Sequence, residues 1–338
     1  MDSSPRQSNI HDVARRAGVS ISTVSQALNN KGRVSAETQQ RIIEAADELN
    51  YRPMSSARSL RGGRSGMIAL TLTEPPRAPI AVTDFDYFRR LNDGATSAAL
   101  SAGLALVTLP SRSAPEMITT TQLDGAIVVD PIPDDPSLKQ LRALGIPLVT
   151  AGRGIDDEND DWVDNDHDAA TRAVLDHLRL RGAKRIALLT VPPVHSYAVD
   201  MRQTYEAWCF ALQAPVIVEQ AAAATTEMGG MLAARRLFAR DEPPDAIYAG
   251  LDGQALGVLI AAESAGISVP DDLMIVCCTD SQSSAHASPP LTALNLHPEA
   301  LGHQAVELLI AQIENRSTEA IERLVPWTLI ERGSTSPS

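Results

Sequence analysis

A short segment near the start of the chain carries side chains suited to hydrogen bonding with nucleic acid bases. Gln26 can bond two edge atoms of an adenine, the small hydroxyl of Ser22 can reach a base or a phosphate, and the aliphatic tip of Ile21 can contact a thymine methyl group. We assign these three residues to base reading. The residues assigned to phosphate contacts, which position a helix without reading sequence, are Thr23, Ser25 and Asn29.

Two predicted helices position these side chains. Between Asn9 and Asn29 the chain reads NIHDVARRAGVSISTVSQALN, in which two apolar helical stripes are separated by Gly18. Ser20 stands where the second helix begins, so its hydroxyl can accept a hydrogen bond from a backbone amide as an N-cap does. The pattern predicts a helix-turn-helix, a motif that places its second helix in the major groove of DNA.

A third predicted helix follows this pair. Ser35 caps it, its apolar residues repeat at helical spacing as far as Leu49, and Tyr51 and Pro53 end it. The alternative for the first two helices is a hairpin inside a larger core, but the third helix favours a compact three-helix headpiece. Ser20 and Tyr51 complete the candidate DNA-binding residues of this headpiece.

The segments DVARRAGVSISTVSQALN, VSAETQQRIIEAADELNYRP and ARSLR resemble the LacI/GalR family of bacterial transcription repressors. The resemblance implies a hinge helix at roughly Met54–Arg61 that folds on DNA, with Leu60 as a minor-groove wedge and Ala57 beside it. Ser55 and Ser56 depart from the small apolar residues that are more usual there, which lowers helix propensity. An ordinary polar linker is the alternative interpretation of this segment.

Charge is divided unevenly along the chain. Residues 1–64 hold ten of the 29 Lys and Arg residues and six of the 42 Asp and Glu residues, so this segment has a net charge of +4 and the remainder has −17. A basic headpiece favours phosphate contacts, whereas an acidic body repels DNA and promotes solubility. The charge pattern therefore agrees with a DNA-binding unit attached to a larger body with another role.

Beyond Gly66, short apolar runs alternate with helical stretches, a pattern typical of a parallel sheet covered on both faces. The predicted strands are Met67–Leu72, Leu104–Leu109, Gly125–Val129, Pro147–Thr150, Arg185–Thr190, Pro215–Val218, Ala246–Ala249, Leu273–Cys278, Leu291–Leu296 and Arg323–Ile330. The predicted helices are Tyr87–Ala102, Ser137–Leu144, His167–Arg181, Val199–Leu212, Thr226–Arg240, Gly253–Ala265 and Glu299–Glu314.

We therefore predict an N-terminal all-α helix-turn-helix headpiece with a hinge helix, followed by an α/β body of two parallel-sheet subdomains. The family resemblance implies that this body is like a periplasmic binding protein. The predicted boundaries are 1–53 for the headpiece, 54–65 for the hinge helix and linker, 66–333 for the effector-binding and dimerisation domain, and 334–338 for a tail.

Ligands of open parallel sheets bind outside the carboxyl ends of the strands, so residues just after each run are candidates for a small-molecule site. The resemblance implies a stacking wall from Tyr87 and Phe88, a rim residue in Arg153, and hydrogen bonds from Asp252 and Asp280. A strand-end cap or a surface ion pair is the alternative for each polar residue. Asp130 and Arg202 complete the candidate effector-binding residues.

The segment around Arg202 departs from the family pattern. Family members often carry an arginine three residues before a glycine in this helix, whereas here Thr204 stands three residues before Ala207. The effector is therefore expected to depart from those of the relatives as well. Sugars or their derivatives are what the resemblance implies in general.

The sequence argues against catalysis and against a resident cofactor. The seven histidines show no metal-binding spacing, and the motifs GxSxG, GxxxxGK[ST] and GxGxxG after a strand are missing, so no enzyme, metal site or cofactor is expected. The three cysteines are predicted to be core residues, and no apolar stretch resembles a secretory or membrane segment. These features favour the bacterial cytoplasm, where DNA lies, and exclude a membrane partner.

The resemblance implies a repressor that binds a palindromic DNA operator as a homodimer. A small-molecule effector in the cleft would change the angle between the subdomains, and so the spacing of the hinges. The alternative function is a small-molecule binding protein that does not bind an operator.

Overall fold

The computed structural model describes residues 9–28, 34–49, 51, 64–72, 86–110, 113–155, 161–221, 227–314 and 321–336. The chain divides into two compact units, Met1–Ser65 and Gly66–Ser338. None of the helices within these ranges has a stretch both long and apolar enough to cross a bilayer.

The first unit contains three helices around a small core. Helix α1 spans Ile10–Ala17, α2 spans Ile21–Leu28 and α3 spans Ala36–Glu48. The apolar stripes predicted from the sequence meet in this core, because each helix contributes residues spaced three or four apart. Its buried members are Val13, Ala14, Ala17, Val24, Ala27, Ile42, Ala45 and Ala46.

Side-chain caps set the ends of these helices. Asn9 and Asp12 form a capping box at the start of α1, in which Asn9 Oδ1 accepts from the Asp12 amide at 3.3 Å and Asp12 Oδ2 accepts from the Asn9 amide at 3.0 Å. Gly18 ends α1 in the left-handed region at φ +68°, which glycine adopts without steric cost. Ser35 Oγ accepts from the Thr38 amide at 3.3 Å, so the predicted cap of α3 is confirmed.

The second unit contains two six-stranded sheets. Sheet 1 has the order β2-β1-β3-β4-β5-β11, and its neighbouring strands are all parallel. Its strands are β1 Met67–Leu72, β2 Ala105–Leu109, β3 Gly125–Val129, β4 Leu148–Ala151, β5 Trp162–Asn165 and β11 Glu322–Val325. The helices that pack on it are α4 Asp86–Ser101, α5 Ala114–Thr120, α6 Pro136–Leu144 and α12 Pro298–Ile313.

Sheet 2 has the order β7-β6-β8-β9-β10-β12, parallel except for the β10–β12 pair. Its strands are β6 Ile186–Thr190, β7 Ile217–Gln220, β8 Ala246–Ala249, β9 Met274–Cys277, β10 Thr292–Asn295 and β12 Thr328–Ile330. The helices that pack on it are α7 His167–Leu180, α8 Ser196–Leu212, α9 Glu227–Phe238, α10 Asp252–Ala265 and the short α11 Gln282–Ala285. Each sheet with its helices forms one subdomain.

The structure corrects three predictions for the body. Strand β5 and helices α5 and α11 were not predicted, because their sequences lack a long apolar run. The predicted strand Arg323–Ile330 is two strands in different sheets, since Pro326 cannot donate a ladder hydrogen bond at the break. The predicted tail is also too long: Ser334 and Thr335 are buried, and Ser334 Oγ accepts from the Thr292 amide at 2.8 Å.

In each subdomain, one pair of helices touches backbone to backbone at glycines. A Cβ atom added to Gly94 on α4 would lie 2.0 Å from the carbonyl oxygen of Glu299 on α12, and one added to Gly302 would lie 2.1 Å from that of Leu91. Helices α9 and α10 meet in the same way, since a Cβ atom at Gly257 would lie 2.0 Å from the Glu227 carbonyl oxygen. These contacts fix the distance between the paired helices.

The chain crosses between the subdomains three times, and the side chain of Asn165 joins all three crossings. Asn165 ends β5 just before the first crossing to α7. Its amide nitrogen donates to the carbonyl oxygen of Leu296, on the second crossing, at 3.1 Å, and to that of Val325, on the third, at 2.9 Å. Asn165 is 1% exposed, so no bulk water competes for these carbonyl groups.

We expect Gly94→Ala to destabilise the second unit by about 1–3 kcal/mol, because the added methyl group overlaps backbone atoms of α12. Helix propensity alone predicts the opposite sign, a gain of about 1 kcal/mol for Gly→Ala. Urea unfolding followed by circular dichroism measures the difference. Ser97→Ala, an exposed change on the same helix, is the control, and a stabilised Gly94→Ala protein would contradict the close contact.

We expect Asn165→Leu to destabilise the second unit by about 2–4 kcal/mol, because two buried carbonyl groups lose their donor. Thermal unfolding monitored by calorimetry checks this change. Gln203→Leu, an amide-to-leucine substitution at an exposed position, should leave the transition unchanged. Equal stability of the two variants would show that Asn165 does not hold the crossings together.

Candidate functional site

The start of helix α2 is organised around the hydroxyl of Ser20. Ser20 Oγ accepts from the backbone amide of Thr23 at 3.1 Å, so it caps the helix as predicted. The same oxygen lies 2.7 Å from the hydroxyls of both Ser22 and Thr23. The three hydroxyls therefore form one hydrogen-bonded group at the N-terminal end of α2.

The side chains predicted to read bases lie on the surface of this unit. Ile21 is 37% exposed, and Ser22 and Gln26 are also exposed. These residues lie at helical positions that share one side of α2, while Val24 and Ala27 on the other side are buried in the headpiece core. The exposed side of α2 thus offers one amide, one hydroxyl and one apolar tip.

The other candidate DNA-binding residues differ in their surroundings. Ser25 is 8% exposed, which leaves little of its side chain accessible for the predicted phosphate contact. Tyr51 is half-buried against the headpiece core, and burial raises the pKa of its phenol. Asn29 and the predicted hinge residues Ala57 and Leu60 lie outside the described residues.

In the second unit, the carboxyl ends of the two sheets face each other across a cleft that is bridged by polar contacts. Arg153, which follows β4, forms an ion pair with Asp200 of α8. His195, which precedes α8, donates from Nδ1 to the carbonyl oxygen of Asp130, after β3, at 3.0 Å. Tyr87 of α4 packs against the cores of both subdomains.

Asp164 at the end of β5 organises the floor of this cleft. Its Oδ2 accepts from the Arg153 amide at 3.1 Å and from Arg153 Nε at 3.3 Å, and its Oδ1 lies 3.0 Å from His167 Nε2. Burial alone would raise the pKa of Asp164, but the charge and hydrogen bond of His167 outweigh burial and lower this pKa. Asp164 raises the pKa of His167 above its usual value in return, against the opposing effect of burial.

Asp130 is held in an unusual backbone conformation beside this group. Its φ of +45° lies in the left-handed region, which residues other than glycine, asparagine and aspartate rarely adopt. A Cβ atom at Gly152 would lie 2.5 Å from Asp130 Oδ1, so the glycine makes room for the carboxylate. Burial, together with the charge of Asp164, raises the pKa of Asp130 to about 7, although His167 lowers it.

Aromatic rings from both subdomains lie near Asp130. The rings of His195 and Tyr197 stack with their centroids 5.6 Å apart, and those of Tyr87 and Phe88 meet edge to face at 5.3 Å. Burial raises the pKa of the Tyr87 and Tyr197 phenols, and the nearby Asp130 carboxylate raises both further. This arrangement brings aromatic rings of both subdomains close to one carboxylate.

The structure brings some predicted effector residues together and separates others. Tyr87, Asp130 and Arg153 lie in the cleft, with Phe88 against Tyr87. Arg202 does not join them: it is exposed and pairs with Glu206 of the same helix at 2.8 Å.

Asp252 and Asp280 lie near strand ends of sheet 2. Asp252 begins α10, and its amide donates to Thr279 Oγ1 at 3.2 Å. The carboxylate of Asp280 is paired with Arg332 at 2.8 Å, which matches the strand-end ion pair that the sequence left open as an alternative.

Sequence reasoning missed several cleft residues. His195 and Tyr197 follow β6, so the rule that ligands bind after strand ends would have found them had it been applied to that strand. Asp164 and His167 carried no such signal, because β5 was not recognised as a strand. Asp200 was missed because its partner, Arg153, lies 47 residues away along the chain.

Two family models match separate parts of the chain. A model described as bacterial regulatory proteins, lacI family, matches residues 9–54. A model described as a periplasmic binding protein-like domain matches residues 175–335. The first covers the three helices, and the second covers most of the subdomain built on sheet 2.

Curated relatives extend this similarity over nearly the whole chain. The HTH-type transcriptional regulator AglR of Rhizobium meliloti is 30% identical, over 98% of this chain and 95% of its own. The HTH-type transcriptional regulator CelR of Thermobifida fusca is 28% identical, over 97% of this chain and 98% of its own. Both relatives are named as regulators of transcription and not as enzymes.

Solved structures agree with the fold. The lac repressor dimer bound to operator and the anti-inducer ONPF superposes with a TM-score of 0.85 at 24% identity, covering 98% of this chain and 99% of that one. A complex of the transcriptional regulator CelR with cellobiose gives a TM-score of 0.73 at 26% identity, covering 97% and 99%. The predicted fold class is confirmed, and the chain belongs to the LacI family of DNA-binding transcriptional regulators.

Proposed function

We propose that this protein is a repressor that binds a palindromic operator as a homodimer and is controlled by a small-molecule effector in the cleft. The observation that carries the proposal is the exposed side of α2, where Ile21, Ser22 and Gln26 stand on a capped helix of a helix-turn-helix. In this motif the second helix lies in the major groove and its first residues contact base edges. Thr23 and Asn29 would hold phosphates on either side.

The contacts across the cleft support control by an effector. Arg153–Asp200 and His195–Asp130 each join one subdomain to the other, so a ligand that inserts between them changes the contacts that set the angle between the subdomains. A ligand shifts such an equilibrium by its difference in affinity for the two arrangements. The neighbour solved with cellobiose makes a sugar or a related polar ring a reasonable class of effector.

Exposed apolar side chains support a homodimer. Met228 and Leu232 on α9 are 57% and 42% exposed, and Ile260 on the adjoining α10 is 41% exposed. Large apolar residues on paired surface helices are typical of protein interfaces. A dimer also matches the two-fold symmetry of a palindromic operator, since each headpiece contacts one half-site.

Selection of binding sites from a random DNA pool tests the proposal directly. We expect full-length protein to enrich a palindrome, and we expect the affinity for that palindrome to fall steeply with salt because phosphate contacts release counterions. Filter binding across salt concentrations measures the slope. Failure to enrich any sequence, with and without candidate sugars, would favour a small-molecule binding protein that does not act on an operator.

We expect Gln26→Ala to cost about 1–3 kcal/mol, a loss of about 5- to 150-fold, at one base position of the selected site. Non-specific binding should change little, because the glutamine side chain carries no charge. Fluorescence anisotropy with single-base variants of the site separates the two effects. Gln203→Ala, an exposed change on α8, is the control, and equal weakening on all sequences would remove Gln26 from base reading.

A further inference from the structure

The carboxylate of Asp130 has no ion pair or hydrogen bond with any described residue. Its backbone is fully engaged, since the amide donates to the Ala151 carbonyl oxygen at 2.8 Å and its own carbonyl oxygen accepts from His195. The left-handed backbone and the missing side chain at Gly152 place the carboxylate among the cleft residues. No described side chain pairs with the charge that this carboxylate carries above its pKa of about 7.

The positive charges around Asp130 are already neutralised. Arg153 is bound to both Asp164 and Asp200, and His167 is bound to Asp164. Burial lowers the pKa of His195, so its ring is neutral at pH 7 and cannot balance the carboxylate. Among the described residues of the cleft, no cation is left to receive an anionic ligand.

The rings beside the carboxylate complete the pattern of a cation site. Tyr87 comes from the first subdomain, and Tyr197, stacked on His195, comes from the second. Tyrosine faces attract organic cations through the ring quadrupole, and a neighbouring carboxylate adds direct charge attraction. Phosphate and carboxylate ligands would be repelled in this cleft, because both the ring faces and the Asp130 carboxylate carry negative charge density.

We propose that the effector carries a positively charged organic nitrogen, such as the protonated amine of an amino sugar, and that Asp130 binds this group between Tyr87 and Tyr197. The inference rests on the proposed effector function of the cleft. An uncharged ring of the same size binds more weakly, because it supplies no charge to the carboxylate. An anionic ring is rejected by the unneutralised carboxylate.

Fluorine NMR on protein labelled with 3-fluorotyrosine tests this assignment. The chain has five tyrosines, so five signals are expected, and Tyr87→Phe and Tyr197→Phe assign two of them. The probes are cyclohexylamine, cyclohexanol and cyclohexanecarboxylate, which share a ring and differ in charge. At about pH 8, we expect cyclohexylamine to shift the Tyr87 and Tyr197 signals at concentrations about 10-fold lower than cyclohexanol does, and the carboxylate to have no effect.

Asp130→Asn should abolish the preference for the amine, because it removes the charge while keeping a residue that tolerates the left-handed backbone. Asp241→Asn, an exposed aspartate change, is the control and should keep the preference. Unchanged positions of the three remaining signals, two of which come from the buried Tyr205 and Tyr248, verify that each variant is folded.

Stronger binding of the carboxylate probe, an amine effect that survives Asp130→Asn, or no response of Tyr87 and Tyr197 to any probe would overturn the inference. Operator selection on the same preparation keeps the two proposals separate. Amine binding without operator binding supports the proposed cation site and contradicts the proposed repressor function. Operator binding without an amine preference supports the repressor and rules out the cation site.

Discussion

The three crossings between the subdomains converge on one buried side chain, the amide of Asn165. The second and third crossings supply carbonyl oxygens to its nitrogen, and Asn165 itself stands just before the first. Because these carbonyl groups are shielded from bulk water, separating the crossings would leave them without a donor. The crossings are therefore expected to move as one unit, and the cleft residues Asp164 and His167, which flank Asn165, take their positions from it.

The glycine contacts limit movement elsewhere in the body. Gly94 and Gly302 hold α4 against α12, and Gly257 holds α10 against α9, with no side chain between the backbones. Helices in such close contact cannot slide without overlap, so each subdomain is expected to behave as a rigid body. A change in the angle between subdomains is then concentrated at the crossings and in the contacts across the cleft, where Arg153 meets Asp200.

Most of the fold was predictable because the spacing of apolar residues along the chain indicates which segments form helices and which form strands. Three strands, β1, β3 and β8, have the predicted bounds, and the helical stripes of the headpiece and the Ser20 cap were recognised from residue type and position. Strand β5 was not recognised, because its sequence WVDN contains buried polar residues whose hydrogen-bond partners come from other parts of the fold. The body helix α5 was missed for lack of a long apolar run.

The candidate sites were less predictable than the fold, because they depend on contacts between distant parts of the chain. Tyr87, Asp130 and Arg153 could be found from their places after strands. The partners of Arg153 could not, since Asp200 is 47 residues away along the chain. The burial of Ser25 and the outward position of Arg202 likewise depend on packing that periodicity does not describe.

The Arg153–Asp200 pair has a consequence for how the protein responds to its ionic surroundings. Both side chains are partly buried, 39% and 18% exposed, and Arg153 is anchored to Asp164, which is 3% exposed. Mobile ions screen such pairs much less than they screen charges in open solvent. Contacts between a headpiece and DNA phosphates lie in the opposite regime and weaken steeply as salt rises. A rise in ionic strength is therefore expected to weaken contacts between headpiece and DNA while leaving the polar contacts across the cleft nearly unaltered.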